Sequence, residues 1–306
     1  MVDITDLKGI VVPIITPLTE DERVDEKGLR KLIGHVLGGG VHGIFVMGTS
    51  GEFARLDLSE WKAAVEVAIN EVRRRVPVYV GISDAGYRLV KKKADLAQSM
   101  NADVVVATPP YYFPVRQGEI YTFYKELASN ISSPLMLYNI PSTTGVSIEL
   151  ETVIKLSKIK GIVGIKDSSG DMGVLRRTLS HFRGNDNFRV FVGEESIMMP
   201  GISEGAHGGV PSLGNVAPKL LVDLYEAAEG GLVEKAKKLE GAVFGINGVL
   251  NRCTDSWLAW LIGRKAALEI MGICGSKVTA PYSPLPAEAV KKIEDKLREH
   301  SLIPFY

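Results

Sequence analysis

Eight short apolar runs recur along this 306-residue chain, and each is followed by a longer stretch with helical periodicity. The runs cover 9–15, 43–47, 76–82, 103–108, 135–139, 161–166, 189–193 and 206–212. The amphipathic stretches cover 26–37, 59–74, 87–100, 119–130, 148–157, 170–181, 196–204 and 217–228. Runs this short and this apolar read as strands buried on both faces, which calls for parallel pairing beneath a cover of helices. Eight repeats at regular spacing predict a (β/α)8 TIM barrel rather than an open doubly wound sheet. The barrel is expected to occupy 1–230. Residues 231–306 are helical in pattern and lack a strand run, so they predict a C-terminal helical extension packed on the barrel as part of one structural unit.

Charge and cysteine usage narrow the function classes. Lysine plus arginine number 36, as do aspartate plus glutamate, so the formal net charge is zero. That argues against a nucleic-acid or membrane-surface protein, which carries a basic excess. No apolar segment approaches the ~20 residues of a membrane helix, and the N-terminus has no signal-peptide pattern. Cys253 and Cys274 have neither metal spacing nor a disulfide framework. Together these features predict a soluble cytoplasmic protein with reduced thiols.

Two patterns invite misreading. Gly38, Gly40 and Gly43 satisfy the dinucleotide fingerprint G-x-G-x-x-G, but they follow a helix and precede a strand, the reverse of the required order. They read as a helix end and turn. Lys91, Lys92 and Lys93 read as a solvated helix face. The five histidines show no metal-ligand spacing, and only His207 is expected near the mouth of the barrel.

In such a barrel chemistry gathers at the carboxyl ends of the strands. The sixth run ends in Gly161-Ile-Val-Gly-Ile-Lys166, so Lys166 is read as its last residue, facing from a dry interior toward the mouth. Burial disfavours an ammonium, and a lysine so placed can serve as a nucleophilic amine. The fifth run ends at Tyr138, and the fourth in Thr108-Pro109-Pro110-Tyr111-Tyr112, whose tyrosines suit either packing or proton transfer. The second is followed by Gly48-Thr49-Ser50-Gly51, where two hydroxyls between glycines suit close approach of a carboxylate. Singly, each has an ordinary structural reading. Jointly they suit Schiff-base chemistry on a 2-oxo acid: the amine attacks the ketone, a tyrosine moves protons, and the iminium serves as electron sink without a metal or other cofactor. A phenol with an ordinary pKa of about 10 needs other hydroxyls to relay its proton.

With these residues in place, the chain resembles the pyruvate-dependent class I aldolases of the dihydrodipicolinate synthase / N-acetylneuraminate lyase superfamily over essentially its whole length. The resemblance is carried by Gly48-Thr49-Ser50-Gly51-Glu52, Tyr138-Asn139-Ile140-Pro141 with Thr144-Gly145, and Gly164-Ile165-Lys166-Asp167. It implies that Lys166 forms a Schiff base with pyruvate and that Tyr138 is the general acid and base. It further implies that Thr49 and Ser50 hold the pyruvate carboxylate, and that Thr49 links Tyr138 to Tyr112. In the family that tyrosine comes from a neighbouring subunit, which implies a homo-oligomer, commonly a tetramer built as a dimer of dimers. Gly193 and Val210 match positions whose backbone carbonyls face the site.

Two departures from the synthase pattern and one match to the sugar-acid branches bear on the second substrate, the milder departure being Ser50, which stands where the synthases have a second threonine and keeps the hydroxyl. Synthase members carry an arginine where this chain has Thr143, and losing a guanidinium removes a bidentate carboxylate clamp. Glu195 matches an acidic position that reads hydroxyls in the sugar-acid branches. The expected reaction is therefore reversible cleavage of a 2-keto-3-deoxy sugar acid, such as 2-keto-3-deoxygluconate, to pyruvate and an aldehyde. The alternatives are 4-hydroxy-tetrahydrodipicolinate synthase, which joins pyruvate to aspartate semialdehyde, and a catalytically silent binding barrel. Retention of both Lys166 and Tyr138 speaks against the silent reading.

Overall fold

A computed structural model describes residues 3–304. All eight expected strands are present: β1 (Gly9–Pro13), β2 (Gly43–Val46), β3 (Val78–Gly81), β4 (Val104–Ala107), β5 (Leu135–Asn139), β6 (Ile162–Asp167), β7 (Arg189–Val192) and β8 (Gly208–Gly209). They pair in chain order as one closed parallel sheet, the (β/α)8 barrel that the alternation predicts. Most strands are shorter than their apolar runs because the ladder ends before the hydrophobic sequence does. β8 is the shortest, and it pairs with β1 through Gly9 and Gly208. A Cβ at Gly208 would lie 2.0 Å from the Gly9 carbonyl oxygen, so only glycine lets the sheet close there.

Helix starts follow their caps. Asp25, Asp57 and Asp171 each accept hydrogen bonds from first-turn N–H groups and open the helices Glu26–Gly38, Leu58–Val72 and Met172–Phe182. The last begins two residues later than its periodicity suggests, because Gly170 is left-handed and Asp171 takes the cap. Gly38 ends the first of these helices, Gly40 turns with φ +81°, and Gly43 opens β2, as the reversed order of the fingerprint requires.

The described residues form two compact units. One runs to residue 11 and adds 42–45 and 74–211, and it holds the strand ladders described for β3 to β8. Its core includes Val11, Phe45, Tyr79, Val106, Met136 and Phe191. The other comprises 12–41, 46–73 and the chain from 212 onward. There the helices Glu26–Gly38 and Leu58–Val72 pack on each other, and Pro218–Glu229, Val233–Leu250, Ala259–Ile270 and Ala287–Glu299 follow. No described helix is long and apolar enough to cross a membrane.

Candidate active site

Lys166 lies next to last in β6, one position earlier than expected, because Asp167 still pairs with β7 and ends the strand. Its side chain is directed inward by an irregularity in the ladder. Leu135 pairs with Ile162, but Met136 pairs with Gly164, so β6 carries one surplus residue, Val163. Tyr138 consequently faces Lys166. Without the surplus residue its partner would be Ile165, because a slip of one residue exchanges the two faces of a strand.

The result is a close pair. Lys166 is 5% exposed and Tyr138 2% exposed. The Lys166 Nζ stands 3.8 Å from the centre of the Tyr138 ring and 5.3 Å from that of Phe45. Phe45 meets Tyr138 edge-on at 6.3 Å. Tyr79, Val106, Met136, Phe191 and Val210 complete the cage around the lysine stem. Gly193 follows β7 and leaves room for that stem: a Cβ there would come 3.0 Å from Lys166 Cε and 2.0 Å from Ser168 Oγ.

Behind this pair stands a polar bracket that the motifs contain but sequence reasoning left without a role. Asn139 donates from Nδ2 to Asp167 Oδ1 over 2.7 Å, and its Oδ1 accepts from the Ile148 N–H at 2.9 Å. Asp167 also accepts from the N–H and hydroxyl of Ser169. Burial raises the Asp167 carboxyl above its ordinary pKa, while the bonds from Asn139 and Ser169 oppose that rise. Asn139 directly after Tyr138 and Asp167 directly after Lys166 were the available signal.

The remaining expected residues of this unit occupy varied settings. Tyr112 is 85% exposed, has φ +83°, and meets Phe113 edge-on at 5.1 Å. Tyr111 is half-buried, and burial with the nearby Asp84 charge pushes its phenol up to about 12. Thr143 lies exposed on the short helix Pro141–Thr144, its hydroxyl donating to the Ile140 carbonyl at 3.2 Å. Glu195 opens a 3-10 turn, and Glu194 caps it by accepting from the N–H and hydroxyl of Ser196. Val210 is buried next to β8 and donates its N–H to the Val192 carbonyl at 2.8 Å.

In the other unit Thr49 and Ser50 begin a single 3-10 turn, Thr49–Gly51, with Ser50 buried. Thr16 Oγ1 donates to the Gly51 carbonyl at 2.8 Å. Glu52 follows with φ +57° and donates its N–H to the Thr49 carbonyl at 3.1 Å. Its buried carboxylate accepts from Lys265 Nζ at 2.5 Å and from Thr279 Oγ1 at 2.7 Å. Burial pulls the Lys265 ammonium below its ordinary pKa, and the Glu52 charge opposes that shift. Two long-range partners 213 and 227 positions away left no local pattern to read.

Two expectations are corrected. Lys93 is not on a solvated face: it is buried, paired with Asp84 at 2.9 Å and donating to the Ser83 carbonyl at 3.2 Å. His207 is not at the mouth. It immediately precedes β8, where its carbonyl accepts from Gly9, the first residue of β1, and its Nδ1 accepts from the Val190 N–H at 3.0 Å. That is the amino-terminal end of the barrel, because the residue precedes β8 and pairs with the start of β1.

Known proteins identify the family and the fold. The profile of the dihydrodipicolinate synthetase family matches residues 6–300. The 4-hydroxy-tetrahydrodipicolinate synthase of Methanopyrus kandleri is 31% identical over 97% of this chain and 98% of its own. The structure of dihydrodipicolinate synthase from Bacteroides thetaiotaomicron superposes with a TM-score of 0.92 at 35% identity, covering 96% of this chain and 98% of that one. YagE from E. coli K12, a prophage protein of the dihydrodipicolinic acid synthase family solved in complex with pyruvate, superposes with a TM-score of 0.90 at 29% identity, covering 97% and 99%.

Proposed function

This chain belongs to the dihydrodipicolinate synthetase family, whose members are class I Schiff-base lyases, and we propose that it reversibly cleaves a 2-keto-3-deoxy sugar acid to pyruvate and an aldehyde. The observation that carries the chemistry is the placement of the Lys166 amine 3.8 Å above the Tyr138 ring in an apolar cage. The amine adds to the C2 ketone, Tyr138 gives its proton to the carbinolamine hydroxyl, and that hydroxyl leaves as water to give an iminium. Aromatic faces beside the nitrogen favour its positive charge. Tyr138 takes the proton of the C4 hydroxyl, the C3–C4 bond breaks, and its electron pair moves into the iminium to form an enamine as the aldehyde leaves. Protonation at C3 and hydrolysis then free pyruvate and restore Lys166.

Thr49 and Ser50 are assigned to the substrate carboxylate, with Gly193 and Val210 contributing backbone carbonyls. Tyr112 is assigned to proton relay in a neighbouring copy. Its exposure and left-handed backbone support that role, and with it a homotetramer arranged as a dimer of dimers. The sugar-acid reading rests on Thr143, which offers no guanidinium to a second carboxylate, and on Glu195, an acceptor suited to hydroxyls. A second reading, condensation of pyruvate with aspartate semialdehyde, draws support from the relatives that carry the synthase name.

Borohydride reduction in the presence of pyruvate, followed by mass measurement, tests the imine: an adduct on Lys166 is expected, and its absence removes the mechanism. A panel of aldehydes with pyruvate, scored by kcat/KM, separates the two readings. Aspartate semialdehyde as the best partner would overturn the sugar-acid assignment.

A further inference from the structure

Glu52 ends the Thr49–Ser50 turn, and nothing in the chemistry above uses it. Its carboxylate is nevertheless among the most heavily engaged groups in its unit. Oε1 accepts from Lys265 at 2.5 Å, while Oε2 accepts from the Thr279 N–H at 3.1 Å and the Thr279 hydroxyl at 2.7 Å. Arg55 stands 3.9 Å away, and Lys265 also donates to the Lys277 carbonyl at 2.5 Å. Lys265 is fully buried.

We propose that Glu52 is a positioning residue, through which Lys265 and Thr279 set the shape of the Thr49–Ser50 turn and hence the strength with which the substrate carboxylate is held. This rests on the assignment of Thr49 and Ser50 to that carboxylate. The turn is held at two points. Thr16 grips the Gly51 carbonyl, and the Glu52 N–H closes on the Thr49 carbonyl from a left-handed backbone. Moving the Glu52 backbone would drag its carboxylate off Lys265 and leave a buried ammonium uncompensated, so the turn resists displacement. A buried pair serving stability alone would not tune the affinity of a neighbouring turn; a pair that positions the turn does. The helix Ala259–Ile270 and the segment 277–279 thereby acquire a part in substrate binding without touching substrate.

The test compares the full-length enzyme with Thr279→Val and with the double variant Glu52→Gln/Lys265→Met, which removes both charges and leaves neither unpaired. Borohydride-trapped adduct on Lys166 is measured against pyruvate concentration, with thermal unfolding as a check on folding. The half-saturating pyruvate concentration is expected to rise on the order of tenfold in the double variant and about threefold in Thr279→Val, with full adduct at saturation. Unchanged half-saturation in folded variants overturns the proposal alone. Loss of adduct from the wild-type protein overturns the Lys166 assignment and takes the proposal with it. Thr279→Val, the milder change, decides the matter if the double variant does not fold.

Discussion

Asn139 and Asp167 are joined across neighbouring strands by a 2.7 Å hydrogen bond, one residue beyond the facing pair Tyr138 and Lys166. Because side chains alternate along a strand, the polar pair acts from the outer face while the reactive pair faces inward. The register that presents the amine to the tyrosine is thus pinned from behind.

Replacing Asn139 with leucine strands the Ile148 N–H and takes one donor from Asp167. A buried group left without its partner costs about 1–3 kcal/mol, so urea unfolding should report a loss of that order. Turnover should fall further than pyruvate binding, since the facing geometry is what loosens.

Tyr138→Phe keeps the ring beside Lys166 but removes the hydroxyl. A positioned acid–base group contributes roughly 10²–10⁴-fold, and kcat should drop within that range. Borohydride should still trap some adduct on Lys166. Wild-type turnover in this variant would exclude Tyr138 as the proton carrier.

Gly193→Ala places a methyl group against Ser168 Oγ and the Lys166 stem. Overpacking of this kind costs about 1–3 kcal/mol. The Lys166 Nζ should be displaced, so adduct formation, followed by mass against time, should slow more than stability loss alone explains.

The half-buried His207 ring accepts the Val190 N–H, and burial, reinforced by the nearby Arg189 charge, lowers its pKa from 6.5. The unfolded chain takes up the proton near 6.5 while the folded one resists it. Its contribution to stability is therefore present above that pH and lost as pH falls toward the folded value. His35, lowered chiefly by burial, acts in the same direction. Urea unfolding at about pH 7.5 and pH 5.5 should show a smaller difference for His207→Asn than for the wild type.

Thr143→Arg would put a guanidinium on the short helix after β5. The ratio of kcat/KM for aspartate semialdehyde over sugar-derived aldehydes should rise by about tenfold, as expected for one charge-assisted contact. An unchanged ratio would remove Thr143 from the specificity argument.

The barrel was legible because eight apolar runs, each followed by a helical stretch, can be buried together in few ways. Lys166, Tyr138 and the Thr49–Ser50 turn stood out because they end such runs. What escaped was long-range or a matter of register. Nothing in Gly161-Ile-Val-Gly-Ile-Lys166 says that Val163 is surplus, yet that residue decides whether lysine or Ile165 meets Tyr138. Lys93 escaped because its partner Asp84 lies before its own helix, and His207 because the eighth strand begins after it, at Gly208.

The floor beneath Lys166 is made of rings and aliphatic side chains from Val11, Phe45, Tyr79, Val106, Met136 and Phe191. Such a floor gives water little to bind. For the proposed reaction, which finishes in hydrolysis, the floor is therefore no source of the water that cleaves the imine. That water has to arrive from the opposite side of Lys166, and pyruvate, freed by it, is the last product to leave.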